Sequence, residues 1–103
     1  MTINRAVNEV KRDYVRQVIC EYFLDECNLA IAVFTVESGL RANAVGDHGG
    51  SLGIAQLNYV HWYKVSCSLL EVECNIRLAK QIRDNSGWGA WTVYRTGAYL
   101  QYL

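Results

Sequence analysis

Hydrophobic positions recur at helical spacing along the first part of the chain. Apolar side chains follow each other every three or four residues, with charged residues between them, at Ile3, Val7, Val10, Tyr14, Val18 and Tyr22. Since residues three or four apart share one face of a helix, this pattern predicts an amphipathic helix with the stripe against the core.

A second segment is apolar on every side. It reads NLAIAVFTVE and ends at Glu37, with Asp25 as the expected N-cap and Gly39 at the position where helices commonly stop. A helix that is apolar all round is normally buried. We therefore expect this segment to be the central helix of the core.

Glycine separates the helical blocks. Residues 1–38 and 54–86 contain none, whereas residues 39–53 contain five and residues 87–97 contain three. The segment RANAVGDHGGSLG has no hydrophobic period, so it predicts a loop or a small hairpin.

Two further helices are predicted in the second half of the chain. Ser68-Leu69-Leu70-Glu71 has the capping-box pattern, which opens a helix that should run to about Arg83. Its expected inner face consists of Leu69, Val72, Ile76, Ala79 and Ile82. The aromatic-rich end, WGAWTVYRTGAYLQYL, predicts a short helix with one side against the core.

These elements predict a mainly α-helical domain of the α+β class, with a small loop or hairpin lobe. The 103 residues suit a single domain over residues 1–103, and we expect a monomer.

The net charge of zero gives no strong field to attract nucleic acid. No apolar run reaches the length of a membrane span, so we expect no membrane insertion.

The four cysteines form two pairs seven residues apart, Cys20 with Cys27 and Cys67 with Cys74. Zinc sites favour closer spacing, and His48 and His61 add no metal-binding pattern, so no metal site is predicted. Cysteines seven apart on one continuous helix lie about 10 Å apart along its axis, too far for a disulfide. Antiparallel segments would instead pair Cys20 with Cys74 and Cys27 with Cys67; four buried thiols are the alternative.

Glu37 is the main candidate for catalysis. It ends the apolar helix, and both burial and the partial negative charge of a helix C-terminus disfavour its ionised form. A carboxyl group with a raised pKa beside an open loop can act as general acid on a glycosidic bond. The structural alternative is a helix-end glutamate that makes a surface ion pair.

The stretch AIAVFTVESGLRANAVGDHGGSLGIAQLN resembles the core of lytic transglycosylases and of the related goose-type and phage lysozymes. Its two motifs are Glu37-Ser38-Gly39-Leu40 and Ser51-Leu52-Gly53-Ile54-Ala55-Gln56. ECNIRLAKQIR is similar to that family's Asn-Ile-x-x-Ala helix, and WGAWTVYRTGAYLQYL to its Trp-x-x-Trp-x-x-Tyr-Asn-x-Gly ending. The resemblance covers roughly residues 29–100, with the motifs in the family's order.

The resemblance implies a lysozyme-like fold and cleavage of the β-1,4 bond between N-acetylmuramic acid and N-acetylglucosamine in peptidoglycan. It gives Glu37 the role of acid and then base in lytic transglycosylation, without a cofactor and with glycan strands as the partner. Ser51, Gly53 and Gln56 would line the sugar cleft, and Tyr94 would hydrogen-bond near the glutamate. The alternatives are local hydrogen bonding for Ser51 and Gln56 and core packing for Tyr94. The aromatic residues that could stack on sugar faces, with core packing as the alternative, are Trp62, Tyr63, Trp88 and Trp91.

Two residues leave the mechanism open. Arg95 stands where the family has Asn, and a cation beside Glu37 would lower its pKa. Asp47 is the possible second carboxylate of a hydrolase, and an inverting enzyme would need it roughly 6.5–9.5 Å from Glu37. The alternative for Asp47 is an aspartate that tightens the turn around Gly46 and Gly49.

Rival functions therefore remain. A hydrolase that uses a second carboxylate or a bound water would yield products without an anhydro end. A non-catalytic glycan-binding or virion-structural module of the same fold is favoured by Arg95 and by the short chain. The N-terminus shows no apolar signal-peptide core, which favours a phage lysin, made in the cytoplasm and acting on the cell wall after release, or a virion-associated protein.

Overall fold

The computed structural model describes the backbone of residues 3–103 and the side chains of residues 8–103. The chain in this range is mainly α-helical with one small antiparallel sheet, as predicted. Its helices are α1 (Ile3–Phe23), α2 (Cys27–Ser38), α3 (Val72–Ser86) and α4 (Thr92–Arg95), and its strands are β1 (Val45–Gly46), β2 (Ser51–Leu52) and β3 (Leu57–Asn58). Short 3₁₀ helices occupy Leu24–Glu26, Asp47–Gly49, Tyr59–Lys64, Trp88–Ala90 and Ala98–Tyr102.

The buried side of α1 begins later than the sequence predicted. Its buried side chains are Val15, Val18, Ile19 and Phe23, with Tyr22 partly buried. Val10 and Tyr14 are 69% and 51% exposed, so their assignment to the core is wrong. Among the described side chains of α1, Val15 is the first that packs in the core. Ile3 and Val7 lie outside the described side chains.

Helix α2 is the buried central helix that the sequence predicted. Its buried residues are Ala30, Ala32, Val33, Phe34 and Ser38, and Gly39 ends it in the left-handed conformation, with φ 64°. The prediction of Asp25 as N-cap is wrong. A 3₁₀ turn follows α1 at Leu24–Glu26, which places Glu26, without a side-chain cap, at the start of α2.

The cysteines are bonded within each pair. Cys20 is joined to Cys27 and Cys67 to Cys74, with Cα–Cα distances of 4.7 and 6.1 Å. The predicted pairing between segments is wrong, and so is the alternative of free thiols. Neither pair lies on one continuous helix, because the Leu24–Glu26 turn separates α1 from α2 and Cys67 precedes α3.

The glycine-rich segment and the residues after it form the small sheet. Residues 44–64, which contain the sheet and the 3₁₀ helix after β3, are here called the β lobe. Val45 lies opposite Leu52 in the β1–β2 pair, and Leu52 lies opposite Leu57 in the β2–β3 pair. The hairpin was one of the two predicted outcomes. Strand β3 was not anticipated, because two residues are too few to show an alternating pattern.

Helix α3 begins at Val72, so the capping-box prediction for its start is wrong. The hydroxyl of Ser68 accepts from the backbone N–H of Leu70 in a turn before the helix, and Glu71 occupies the N-cap without a side-chain bond. The predicted inner face is otherwise confirmed. Leu69, Ile76, Ala79 and Ile82 are buried, and Val72 is partly buried.

An aromatic cluster joins the C-terminal segment to the central helix. Trp88 and Trp91 are buried and lie 6.0 and 5.8 Å, centroid to centroid, from the ring of Phe34. These two tryptophans therefore pack in the core. Within the described part of the chain, no helix is long and apolar enough to cross a membrane.

Candidate active site

An open cleft of about 410 Å³ lies between the end of α2, the β lobe and the segment that leads into α4. Its apolar lining comes from Leu57, Ile82, Trp91 and Val93. The polar side chains on its wall are Glu37, Asp47, Ser51, Gln56, Asn58, His61 and Thr92. The structure thus brings four of the sequence candidates, Glu37, Asp47, Ser51 and Gln56, to one cavity.

Glu37 is the partly buried carboxyl group of this cleft. Burial, and secondarily the negative charge of Asp47, raise the pKa of Glu37 from 4.5 to about 7. The side chain makes no ion pair with another residue whose side chain the structure describes. The left-handed Gly39, whose N–H donates to the carbonyl of Thr35, ends the helix immediately beyond it. A carboxyl group in this state can both donate and accept a proton near neutral pH.

Asp47 lies on the opposite, β-lobe side of the cleft in an exposed turn. The hydroxyl of Ser51 donates to its Oδ2 atom at 2.6 Å, and the N–H of Gly50 donates to its carbonyl at 3.0 Å. Asp47 therefore tightens its own turn and also lines the cleft. The hydrogen bond from Ser51 holds the carboxylate of Asp47, whose negative charge raises the pKa of Glu37.

Gln56 lines the cleft and also holds the β lobe together. Its Nε2 atom donates to the carbonyls of Ala44 and Gly53, at 3.1 and 3.0 Å. Its Oε1 atom lies so close to Gly46 that a Cβ atom there would approach it to 2.2 Å. The missing side chain at Gly46 thus makes room for Gln56, which explains why glycine occupies that position.

Gly53 is buried and does not line the cleft. Its φ is +77°, and a Cβ atom there would come within 2.2 Å of Nδ2 of Asn75 and 2.3 Å of the carbonyl oxygen of Leu69. The close approach that this glycine allows is therefore to a neighbouring helix and loop of the same chain.

Asn75, on α3, fixes residues 52–55, which connect the cleft residues Ser51 and Gln56. Its Oδ1 atom accepts from the N–H of Ala55 at 2.9 Å, and its Nδ2 atom donates to the carbonyls of Leu52 and Leu69 at 2.9 and 2.8 Å. The side chain is buried, and its bonds to Ala55 and Leu69 are shielded from water. The sequence signal was a polar residue on the inner side of an amphipathic helix.

Two more buried donors hold residues 52–55 from other directions. The hydroxyl of Ser38, next to Glu37, donates to the carbonyl of Ile54 at 2.7 Å. The indole N–H of Trp91 donates to the carbonyl of Ala55 at 3.0 Å. Helices α2 and α3 and the C-terminal segment therefore all hold the stretch between the cleft residues Ser51 and Gln56.

Tyr94 and Arg95 are not among the residues that line the cleft. The ring of Tyr94 stacks on that of Tyr99, with centroids 5.1 Å apart, and it makes no hydrogen bond to Glu37. The guanidinium of Arg95 donates to the carbonyl of Gly89 and to Oγ1 of Thr92. Arg95 is not among the causes that shift the pKa of Glu37, so the departure from the family pattern does not oppose its protonation.

The sequence did not indicate that His61 belongs to the site. It lies on the 3₁₀ helix after β3, and burial, followed by the charge of Lys64, lowers its pKa. The Nζ atom of Lys64 is 2.9 Å from Nδ1 of His61. Among the aromatic candidates nearby, the indole of Trp62 donates to the carbonyl of Leu57, whereas Tyr63 is 82% exposed.

Within the residues that the structure describes, no three His, Cys, Asp or Glu side chains converge as a metal ion would need.

Neither a protein-family model, nor a curated protein, nor a solved structure matches the chain.

Proposed function

We propose that this protein cleaves the β-1,4 bond between N-acetylmuramic acid and N-acetylglucosamine in peptidoglycan by lytic transglycosylation. The observation that carries the proposal is Glu37, a partly buried carboxyl group with a pKa raised to about 7 at the wall of an open cleft. The resemblance of residues 29–100 to lytic transglycosylases supplies the substrate and the reaction type. Both Ser51 and Gln56 of the resembling motif line the same cleft.

In the first step, protonated Glu37 gives its proton to the glycosidic oxygen while the bond from C1 of the muramic acid to that oxygen breaks. A pKa of about 7 leaves a substantial protonated fraction at neutral pH, as a general acid requires. The departing sugar leaves with a hydroxyl group. The positive charge that develops at C1 is stabilised by the neighbouring acetamido group and by the negative charge of Asp47.

In the second step, the 6-hydroxyl oxygen of the muramic acid bonds to C1. The carboxylate of Glu37 accepts the hydroxyl proton, which restores the acid and leaves a 1,6-anhydro ring. No water is consumed. Ser38, Asn75 and Trp91 hold residues 52–55 and thereby keep Ser51 and Gln56 in place in the cleft through both steps.

Asp47 supports hydrolysis as the second candidate reaction. Its carboxylate lines the cleft, and its charge acts on Glu37, as expected for two carboxyl groups that face one scissile bond. In that reaction Asp47 would activate a water molecule or stabilise the cation, and the product would carry a reducing end. Ser51, which donates to Oδ2 of Asp47, would hold the carboxylate in place.

The proposed site of action is the cell wall, which the protein reaches after release from the cell or as part of a virus particle. Two disulfides support a role outside the reducing cytoplasm. A phage lysin fits these features. The third function, a non-catalytic glycan-binding or virion-structural module, would leave the raised pKa of Glu37 without a role.

Digestion of purified peptidoglycan tests the proposal, with the native chain compared with Glu37→Gln and the soluble sugars identified by mass spectrometry. We expect anhydromuramyl products from the native chain and none from Glu37→Gln. Reducing-end products would establish hydrolysis instead. Release of no sugar from any of several peptidoglycan types would overturn the enzyme proposal in favour of a binding module.

A further inference from the structure

A second concave surface lies on the other side of the turn that follows Glu37. This α1 groove, of about 760 Å³, runs between the first half of α1 and the turn after α2. Val10, Lys11 and Tyr14 line it from α1, and Leu40 and Arg41 from the turn. It shares no described lining residue with the catalytic cleft.

The groove exposes apolar surface that the described part of the chain does not cover. Val10 and Tyr14 are 69% and 51% exposed, although their spacing on α1 is that of core residues. The buried side chains of Val15 and Leu40 also contribute to its wall. Grouped apolar side chains on a concave surface are typical of a binding site.

The charge of the groove is positive in a chain whose net charge is zero. Lys11, Arg12 and Arg41 line it, and no acidic residue does so among the described residues. Arg12 pairs with Glu9 at 3.2 Å, whereas Lys11 makes no ion pair with a described residue. Arg41 uses its Nε atom to donate to the carbonyl of Ser38 at 2.9 Å, and its two terminal nitrogens make no hydrogen bond or ion pair with a described residue. The complementary ligand is anionic, with carboxylates for the cations and apolar groups for Val10 and Tyr14.

The chain connects this groove directly to the catalytic cleft. It passes from Glu37 in the cleft to residues 40–43 in the groove, and returns to the cleft at Gly46 and Asp47. The two surfaces therefore flank one short turn. A branched polymer can occupy both, with its backbone in the cleft and its side branch in the groove.

We propose that the α1 groove binds the carboxylate-bearing peptide that branches from the glycan cleaved at Glu37. The choice of ligand rests on the proposed function, whereas the groove and its charge do not. The protein then recognises peptide-substituted glycan more tightly than bare glycan. Lys11 and Arg41 contact the peptide carboxylates, and Val10 and Tyr14 contact its aliphatic part.

Binding to two forms of the polymer tests this proposal. In a Glu37→Gln background, cosedimentation is measured with intact peptidoglycan and with glycan strands whose peptides an amidase has removed. Lys11→Glu should weaken binding to intact peptidoglycan by about five- to tenfold and leave binding to the stripped strands unchanged. Tyr14→Ser should act in the same direction.

Arg16→Glu is the matched control, because it makes the same charge change on α1 outside the groove. Equal binding of Lys11→Glu and the control to intact peptidoglycan would overturn the proposal, even if Glu37→Gln abolishes cleavage. Tight, Lys11-dependent binding by a native chain that cleaves nothing would support the groove and overturn the proposed function. Absence of binding to both polymers would overturn the groove proposal and leave the proposed function to the digestion experiment.

Discussion

Asp47 and Glu37 face one cleft, and the negative charge of Asp47 is the second cause, after burial, of the raised pKa of Glu37. The two carboxyl groups come from different elements, the end of α2 and the turn between β1 and β2. Their juxtaposition links the protonation of the proposed acid to a residue that Ser51 holds in place.

Removal of the Asp47 charge should lower the pKa of Glu37. A reaction that needs protonated Glu37 is lost as pH rises through that pKa, about 7 in the native chain. In Asp47→Asn the alkaline side of the pH–rate profile should therefore move to lower pH. Because burial is the larger cause, the pKa should stay above its ordinary 4.5.

NMR titration of the Glu37 carboxyl carbon measures this pKa directly, whether or not the variant is active. Asp25→Asn is the control, since Asp25 is exposed and outside the cleft. An unchanged Glu37 titration in Asp47→Asn would contradict the assigned cause.

Glu37→Gln should stabilise the protein at alkaline pH. A carboxyl group whose folded pKa is raised contributes full stability below its unfolded pKa and loses it as pH rises through the folded value. The window here runs from 4.5 to about 7. The variant keeps a neutral side chain, so its advantage over the native chain should reach about 1–2 kcal/mol by pH ~8, after allowance for partial exposure.

Urea unfolding of both proteins at about pH 4 and about pH 8 checks this expectation. The difference in the free energy of unfolding should be small at the lower pH and positive at the higher one. A pH-independent difference would mean that Glu37 titrates as an exposed carboxyl group.

Replacement of Asn75 by alanine should destabilise the fold and the cleft together. The change leaves the buried N–H of Ala55, the buried carbonyl of Leu69 and the partly buried carbonyl of Leu52 without their partner, at a cost of about 2–4 kcal/mol. Asn85→Ala, at an exposed position of the same helix, should change the free energy of unfolding by less than about 0.5 kcal/mol. Thermal unfolding of the two variants provides the comparison, and equal melting temperatures would contradict the role given to Asn75.

A side chain at position 53 should be tolerated poorly. In Gly53→Ala the new Cβ atom would meet Nδ2 of Asn75 at 2.2 Å and the carbonyl of Leu69 at 2.3 Å, on a backbone with φ +77°. We expect a loss of more than about 3 kcal/mol. Gly89→Ala is the control, because its Cβ atom would meet nothing within 4 Å. Similar denaturant midpoints for the two variants would exclude this packing argument.

Each disulfide should stabilise the fold by about 2 kcal/mol, because the closed loops are short. The Cys67→Ser/Cys74→Ser variant should also lose activity, since Cys74 adjoins the hydrogen-bonding Asn75. The Cys20→Ser/Cys27→Ser variant, at the corner between α1 and α2, should lose stability alone. Mass mapping of non-reduced peptides checks the pairing, and a peptide that joins Cys20 to Cys74 would contradict it.

Several features could be predicted from the sequence because they depend on near neighbours. The helical spacing of apolar residues indicated α1 and α3, and the all-apolar segment before Gly39 indicated the buried α2. The position of Glu37 at the end of that helix also depends on its neighbours in the sequence, since Gly39 ends the helix. The apolar sequence before Glu37 indicated the burial that is the main cause of its raised pKa, whereas the second cause, the charge of Asp47, was not indicated.

Other features were mispredicted where a short irregular segment changed the direction of the chain. The Leu24–Glu26 turn displaced the predicted N-cap and brought Cys27 beside Cys20. The turn at Ser68 delayed the start of α3. Such segments are only a few residues long, which is too short for a hydrophobic period to reveal them.

The sequence by itself determined the helices, the central buried segment and the carboxyl group at its end, since these follow from contacts within a few residues. Only the tertiary structure decided that Asp47 and His61 face Glu37, that Tyr94 and Arg95 do not, and that Val10 and Tyr14 are exposed. The physical reason is that distances across loops depend on the packing of whole elements, and here on the bonds from Ser38, Asn75 and Trp91 that fix the β lobe against the helices.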